Sequence, residues 1–252
     1  MIDLKGKNAL VTGGSAGIGA SISTQLAQEG VNLVINYAHS KERAEKLAKE
    51  LSEKYKIKAF AVQFDIFDTA NLYKLVDQTV ELLGGIDILI SNAGYTKIIP
   101  YSDLESLDIE LWDKTFSANV KAHFFLFKAA KTYFDKNKQG GCFITTSSIA
   151  GRKVAGSSMP YSVSKAALIQ LTKFLAKTQS NNKIRIHTVA PGLVLTPDWG
   201  ANFPQKTIDK MTNDSPIKQT TDVDEVASQF VYLCKLSTST GTVTGHDAGL
   251  HL

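Results

Sequence analysis

The stretch Val11-Thr-Gly-Gly-Ser-Ala-Gly-Ile-Gly19 follows a short apolar run and opens a segment of helical period, so it reads as a tight turn from strand to helix. Two chemistries use such a turn. Gly13 to Gly17 satisfies GxSxG and would present Ser15 as a hydrolase nucleophile, whereas the same residues from Thr12 read TGxxxGIG and would cradle a dinucleotide phosphate. A hydrolase also needs an acid and then a histidine downstream, with oxyanion donors from an earlier loop. Only a few residues precede this turn and no HGGG-like segment exists, which leaves His187 and His246 as candidate bases without that loop. In the phosphate reading Gly13 permits the turn, Gly17 lets backbone N–H groups approach a pyrophosphate and Gly19 lets the helix pack on the strand. The helix N-terminus adds partial positive charge.

Beyond the turn, apolar runs of strand length at 9–11, 31–35, 59–64, 86–90, 142–145, 184–189 and 242–244 alternate with helical stretches. The helices are expected at 17–29, 41–55, 69–83, 111–134, 161–178 and 224–233. That order predicts an α/β protein of the Rossmann type: a doubly wound parallel sheet with helices on both faces and ligands at the carboxyl ends of the strands. At 252 residues, 43% hydrophobic and 21% charged, the chain is read as one domain over 1–252. The irregular segment 196–221 holds three of the six prolines and is expected to form a substrate lid.

A net charge of +4 with scattered lysines argues against nucleic acid as a partner. Cys142 and Cys234 lack metal-ligand spacing and sit in apolar runs, so they are expected to be buried thiols, with no metal site. The first strand begins within ten residues of Met1, which leaves no room for a signal peptide, and no apolar run is long enough for a membrane span. A cytoplasmic location is therefore expected.

YxxxK occurs at Tyr37–Lys41 and at Tyr161–Lys165. The first directly follows the second strand, where a dinucleotide site meets the adenosine ribose, while the second opens a helix after the fifth strand and puts phenol and ammonium on one helical face. Lowering a phenol from about 10 to near 7 corresponds to roughly 4 kcal/mol in favour of phenolate, a direction in which a nearby ammonium and the positive nicotinamide ring of an oxidised cofactor both act. Taken alone, Tyr161 also reads as a helix cap and Lys165 as a surface charge.

The set TGGSAGIG at 12–19, Asn92-Ala93-Gly94, Asn119, Ser148, Tyr161, Lys165 and Pro191-Gly192-Leu193-Val194-Leu195-Thr196 resembles the short-chain dehydrogenase/reductase family over almost the whole chain. Thr240-Gly241 and Asp247-Ala-Gly249 resemble its C-terminal signatures. The likeness is greatest to 3-oxoacyl reductase and fungal naphthol reductase members. It implies a carbonyl reductase, or the reverse alcohol oxidation, with Tyr161 as general acid and base and Ser148 holding the carbonyl oxygen. Lys165 would bind the nicotinamide ribose and depress the Tyr161 pKa, and Asn119 would anchor a water chain. Ser147 competes for the serine role, but the family interval lands on Ser148. The resemblance further implies cofactor contacts from Gly13, Ser15, Gly17, Ile18, Gly19, Asn92, Ala93, Gly94, Pro191, Gly192, Val194 and Thr196, and a homotetramer or homodimer.

After the second strand, NAD enzymes place a carboxylate on the ribose 2′-OH. Here the segment is Asn36-Tyr37-Ala-His-Ser40-Lys41, with Arg43 close behind, so a 2′-phosphate and hence NADP is expected. Ala16 stands where many NADP-preferring relatives have arginine, and Asp65-Ile66 resembles the family's adenine contact. His187 replaces a frequent asparagine, and Ala248 a glycine of the C-terminal signature. Candidate substrate walls are Tyr95, Ile149, Met159, Leu193, Trp199 and Phe203, which favour an apolar or aromatic ketone. A rival reading is a non-catalytic NADP-binding sensor.

Overall fold

The computed structural model describes residues 1–196 and 204–252. Seven strands, β1 Asn8–Val11, β2 Asn32–Tyr37, β3 Ala59–Gln63, β4 Ile88–Ser91, β5 Cys142–Thr146, β6 Arg185–Pro191 and β7 Val243–His246, form one sheet in the order β3-β2-β1-β4-β5-β6-β7. Every pairing is parallel. The chain winds outward from β1 in both directions, so the crevice for a ligand falls between the carboxyl ends of β1 and β4.

Strands β1, β4 and β5 are apolar on both faces because helices cover both. On one face, Leu33, Ile35, Ile90 and Ile144 pack with α1 (Gly17–Gln28), through Ile22 and Leu26, and with Phe230 of a helix near the C-terminus. On the other, Leu10, Val34, Leu89 and Phe143 pack against α3 (Leu72–Leu83) and against helices that follow β4 and β5. Helix α2 (Lys41–Tyr55) buries a narrower stripe, Ala44, Ala48 and Leu51. These clusters fix the sheet as the rigid base of the site.

Several elements depart from the sequence reading; α3 begins three residues later than expected. The single helix expected over 111–134 is two, α4 (Ile109–Phe116) and α5 (Ala122–Phe134), joined by a π-helical turn at Ser117–Lys121 in which the Ala122 N–H reaches back to the Ser117 carbonyl. The segment expected to be irregular over 196–221 contains α7 (Gln205–Asp214), a helix with no buried residue whose apolar side is only the pair Ile208 and Met211, too narrow a stripe to announce it. The lid expectation and the walls Trp199 and Phe203 fall partly or wholly outside the described residues. Helix α6 (Met159–Gln179) starts two residues earlier than expected, and α8 (Val223–Lys235) is capped by the Asp222 carboxylate, which accepts from the Asp224 and Glu225 N–H groups. Cys142 and Cys234 are buried free thiols, as expected. Among the described residues no helix is long and apolar enough to cross a membrane.

Candidate active site

The turn after β1 is held by side chains that spend most of their polar atoms on backbone. Thr12 Oγ1 accepts from the N–H groups of Asn92 (2.9 Å) and Ala93 (3.0 Å). Asn92 Nδ2 donates to Thr12 O at 3.1 Å, and its Oδ1 accepts from Thr146 Oγ1 at 3.0 Å, so one bracket joins the ends of β1, β4 and β5. Asn36 Oδ1 accepts from Gly13 N (3.3 Å) while its Nδ2 donates to Phe64 O (3.0 Å). With 1% of its surface exposed, Asn36 braces the turn from within. At Gly19 a Cβ would lie 2.2 Å from the Gly13 carbonyl oxygen, so only glycine lets α1 start this close to the strand.

On the far side of the turn, Ser40, Lys41 and Arg43 gather at the start of α2. Arg43 Nη2 donates to Ser40 Oγ at 3.2 Å, and Lys41 pairs with Glu45 at 3.8 Å. Tyr37 and Ile66 are buried, and Asp65 shapes its own turn, its carboxylate accepting from Phe67 N at 3.0 Å.

Across the cleft, Ser158 precedes α6 and Pro160 occupies its first turn, where a missing N–H costs nothing. This start carries Tyr161 and, one turn on, Lys165, whose Nζ stands 5.6 Å from the Tyr161 ring centre. Lys165 is 4% exposed, donates to Thr146 O at 2.8 Å, and is lowered by burial to about 8. It is not a surface charge. Burial raises the Tyr161 phenol above its ordinary value, and the neighbouring Ser148 hydroxyl pulls the other way. Loss of water around the phenol is thus the larger effect, opposite in direction to the lowering expected from Lys165 and the charge of an oxidised nicotinamide acting together. Ser148 Oγ also accepts from Ala150 N at 3.1 Å, while the hydroxyl of its competitor Ser147 is spent on the Lys165 carbonyl at 2.9 Å.

Asn119 lies in the π-helical turn, fully buried, and its amide is committed twice to one residue. Its Oδ1 accepts from Tyr95 N at 2.7 Å, its Nδ2 donates to Tyr95 O at 2.9 Å, and the same Nδ2 reaches Ser164 Oγ at 3.0 Å. It thus pins the loop after β4 to α6. His123, one turn further, is held well below its ordinary pKa by burial and then by the Lys165 charge, and stays neutral.

These residues converge on a cleft of about 260 Å³ at the carboxyl ends of the strands. Ser148, Tyr161 and Lys165 line it together with Ser147, Thr146, Thr96 and Ile18, and with Asn92, Gly94, Tyr95, Pro191, Gly192, Val194 and Thr196. Asn119 sits behind Tyr95 and does not line it. Ile149 and Leu193 are buried in packing, and Met159 is exposed and does not line the cleft, so among the described candidate walls only Tyr95 faces it. His187, considered as a hydrolase base, is buried in the sheet and lowered to about 4, first by burial and then by Arg185. Sequence reasoning placed Thr12 in the turn motif without giving its side chain a role, and it missed Thr146, Ser164 and Thr96. A polar residue inside an apolar strand run was the available signal for Thr146, but nothing in the spacing marked the others.

A family model described as short chain dehydrogenase matches residues 7–207. A putative ketoacyl reductase of the granaticin polyketide synthase of Streptomyces violaceoruber is 36% identical, over 97% of this chain and 96% of that protein. A 3-oxoacyl-[acyl-carrier-protein] reductase of Staphylococcus epidermidis is 30% identical over 98% of this chain and 99% of its own length. Among solved structures, a short chain dehydrogenase from Burkholderia cenocepacia in complex with NADP superposes with a TM-score of 0.89 at 33% identity, covering 100% of both chains.

Proposed function

The chain belongs to the short-chain dehydrogenase family, and on that premise we propose that it reduces a ketone to an alcohol with NADPH, or catalyses the reverse oxidation. The observation that carries the reading is the convergence of Ser148, Tyr161 and Lys165 on one cleft beside the glycine turn. The turn fits a dinucleotide: its polar side chains are bonded inward, and Gly19 leaves α1 closed against β1, with the helix N-terminus facing the cleft. Bound NADPH supplies the hydride.

The chain's own residues handle the oxygen. The Ser148 hydroxyl donates to the substrate carbonyl oxygen, and Tyr161 gives its phenolic proton to that oxygen as charge develops on it. A phenol kept protonated by burial is in the form that reduction requires. Lys165 would hold the nicotinamide ribose hydroxyls, and its ammonium stabilises the phenolate left behind. Ser40, Lys41 and Arg43 would meet the 2′-phosphate, with no acidic side chain from Asn36 through Lys41 to repel it. Reductases among its relatives, and the NADP complex of the Burkholderia protein, support both the direction and the cofactor.

Optical NADPH oxidation over a panel of ketones, diketones and quinones tests this. Wild type is expected to turn over an apolar ketone, with higher kcat/KM for NADPH than for NADH, and Tyr161→Phe to lose roughly 10²–10⁴-fold in kcat. Equal kcat/KM for the two cofactors would overturn the role of Ser40, Lys41 and Arg43. Tight NADPH binding without turnover by either protein would favour a sensor.

A further inference from the structure

Two loops meet beside the Tyr161 ring. One, residues 95–101, follows β4, and the other, residues 152–158, leads into α6. They are stitched at three points: Thr96 Oγ1 shares a hydrogen bond with Ser157 Oγ, Ile99 N donates to Ser157 O at 2.8 Å, and Tyr101 Oη donates to Gly156 O at 2.6 Å. Gly156 has φ +97°, which a residue with a side chain rarely adopts, and a Cβ there would stand 3.0 Å from Tyr161 Cδ1 and 2.8 Å from Ala150 Cβ. The backbone at Gly156 therefore rests against the edge of the Tyr161 ring.

We propose that Tyr101 is a positioning residue, whose hydroxyl, by holding the Gly156 carbonyl, keeps the turn that fixes the Tyr161 ring against Ser148. This rests on the reading of Tyr161 as the general acid. The ring of Tyr101 is 47% exposed, so packing is the smaller part of what it offers; its one directed contact is the bond to Gly156. The other two stitches end on Ser157, which leaves the Gly156 carbonyl dependent on a side chain more than fifty residues away. Burial raises the pKa of the Tyr101 phenol, so it remains a donor through neutral pH. A shift of about 1 Å in a reacting group can cost roughly 10²-fold in rate, so a loosened wall registers in kcat before it registers in stability.

Tyr101→Phe removes the hydroxyl and keeps the ring, and Gly156→Ala puts a methyl group against Tyr161. Tyr101→Phe is expected to lower kcat about 10-fold, with ketone KM within about twofold of wild type and an unchanged unfolding midpoint. A second readout needs no turnover: the titration of Tyr161 in ligand-free protein labelled with ¹³C at tyrosine Cζ, its signal identified by its loss in Tyr161→Phe. The charged group facing this ring is Lys165, which neither substitution alters. Because burial is the larger of the two effects on the phenol, loosening the wall should admit water and move the Tyr161 titration to lower pH by about half a unit or more. Identical Tyr161 titrations in wild type and Tyr101→Phe would overturn the inference, whether or not Gly156→Ala folds. A shifted titration in a protein that reduces no ketone would leave the positioning role standing and remove the proposed activity instead.

Discussion

The turn after β1 and the start of α6 face one cleft and treat their polar groups in opposite ways. At the turn, Thr12, Asn36 and Asn92 give their side chains to backbone partners, so no charge is buried and the loop is held in place before any ligand arrives. At the start of α6, an ammonium and a phenol are both withdrawn from water, and burial works against the charged form of each. The difference teaches where the cost of function sits. Shape is settled by ordinary hydrogen bonding, whereas reactivity is stored as incomplete solvation at Tyr161 and Lys165.

The contrast breaks first at Gly19. Gly19→Ala places a methyl group 2.2 Å from the Gly13 carbonyl oxygen and 2.8 Å from Asn92 Nδ2. We expect a loss of about 3 kcal/mol in urea unfolding, with NADPH affinity measured by fluorescence falling at least roughly 100-fold. Near wild-type values for both would mean that the turn is not held as tightly as its bonds imply.

Lys165→Met sharpens the other half. In the folded chain Lys165 titrates at about 8, below the roughly 10.4 of an unfolded lysine. Between those values the unfolded state binds more protons, so the penalty is complete below about pH 8 and is relieved as pH rises towards 10. Relative to Lys165→Met, the unfolding free energy of ligand-free wild type should climb by roughly 2 kcal/mol from pH 8 to 10. Parallel pH profiles would show that the ammonium is not strained in the fold.

The smallest expected effect comes from outside both regions. Ala248 adopts φ +54° beside Asp247, whose carboxylate accepts from Gly249 N at 3.0 Å and meets His251 Nδ1 at 2.6 Å. Ala248→Gly should raise stability by about 1 kcal/mol, or some 2–4 °C in Tm, and leave kcat alone. A matching change in kcat would tie this C-terminal turn to the chemistry.

Much of this was legible in the sequence. Strand and helix order followed from period, because β1, β4 and β5 are buried on both faces and read as unbroken apolar runs. Tyr161 and Lys165 were marked by their YxxxK spacing and Ser148 by the family resemblance, and all three line the cleft. The π-helical turn was invisible because Ala118, Ala122 and Leu126 keep an apolar stripe running through it, so the pattern looks like one helix. Helix α7 was missed for the opposite reason, since Gln205–Asp214 buries no residue fully and offers only Ile208 and Met211 as an apolar pair. The raised pKa of the Tyr161 phenol was not legible, because a sequence shows the ammonium nearby but not the water removed by folding. Tyr101 lay hidden because nothing in its spacing from Gly156 signals that they touch.

The wide turn at Ser117–Lys121 gives the helix an angular offset. An α-helix advances about 100° per residue, and a π-turn holds one residue more than an α-turn. Deleting that surplus would rotate Leu126, Phe127, Ala130 and Phe134 about a quarter revolution out of the layer they fill beneath the sheet. The irregularity that seats Asn119 is thus locked in by the hydrophobic layer downstream, and the chain cannot straighten the one without repacking the other.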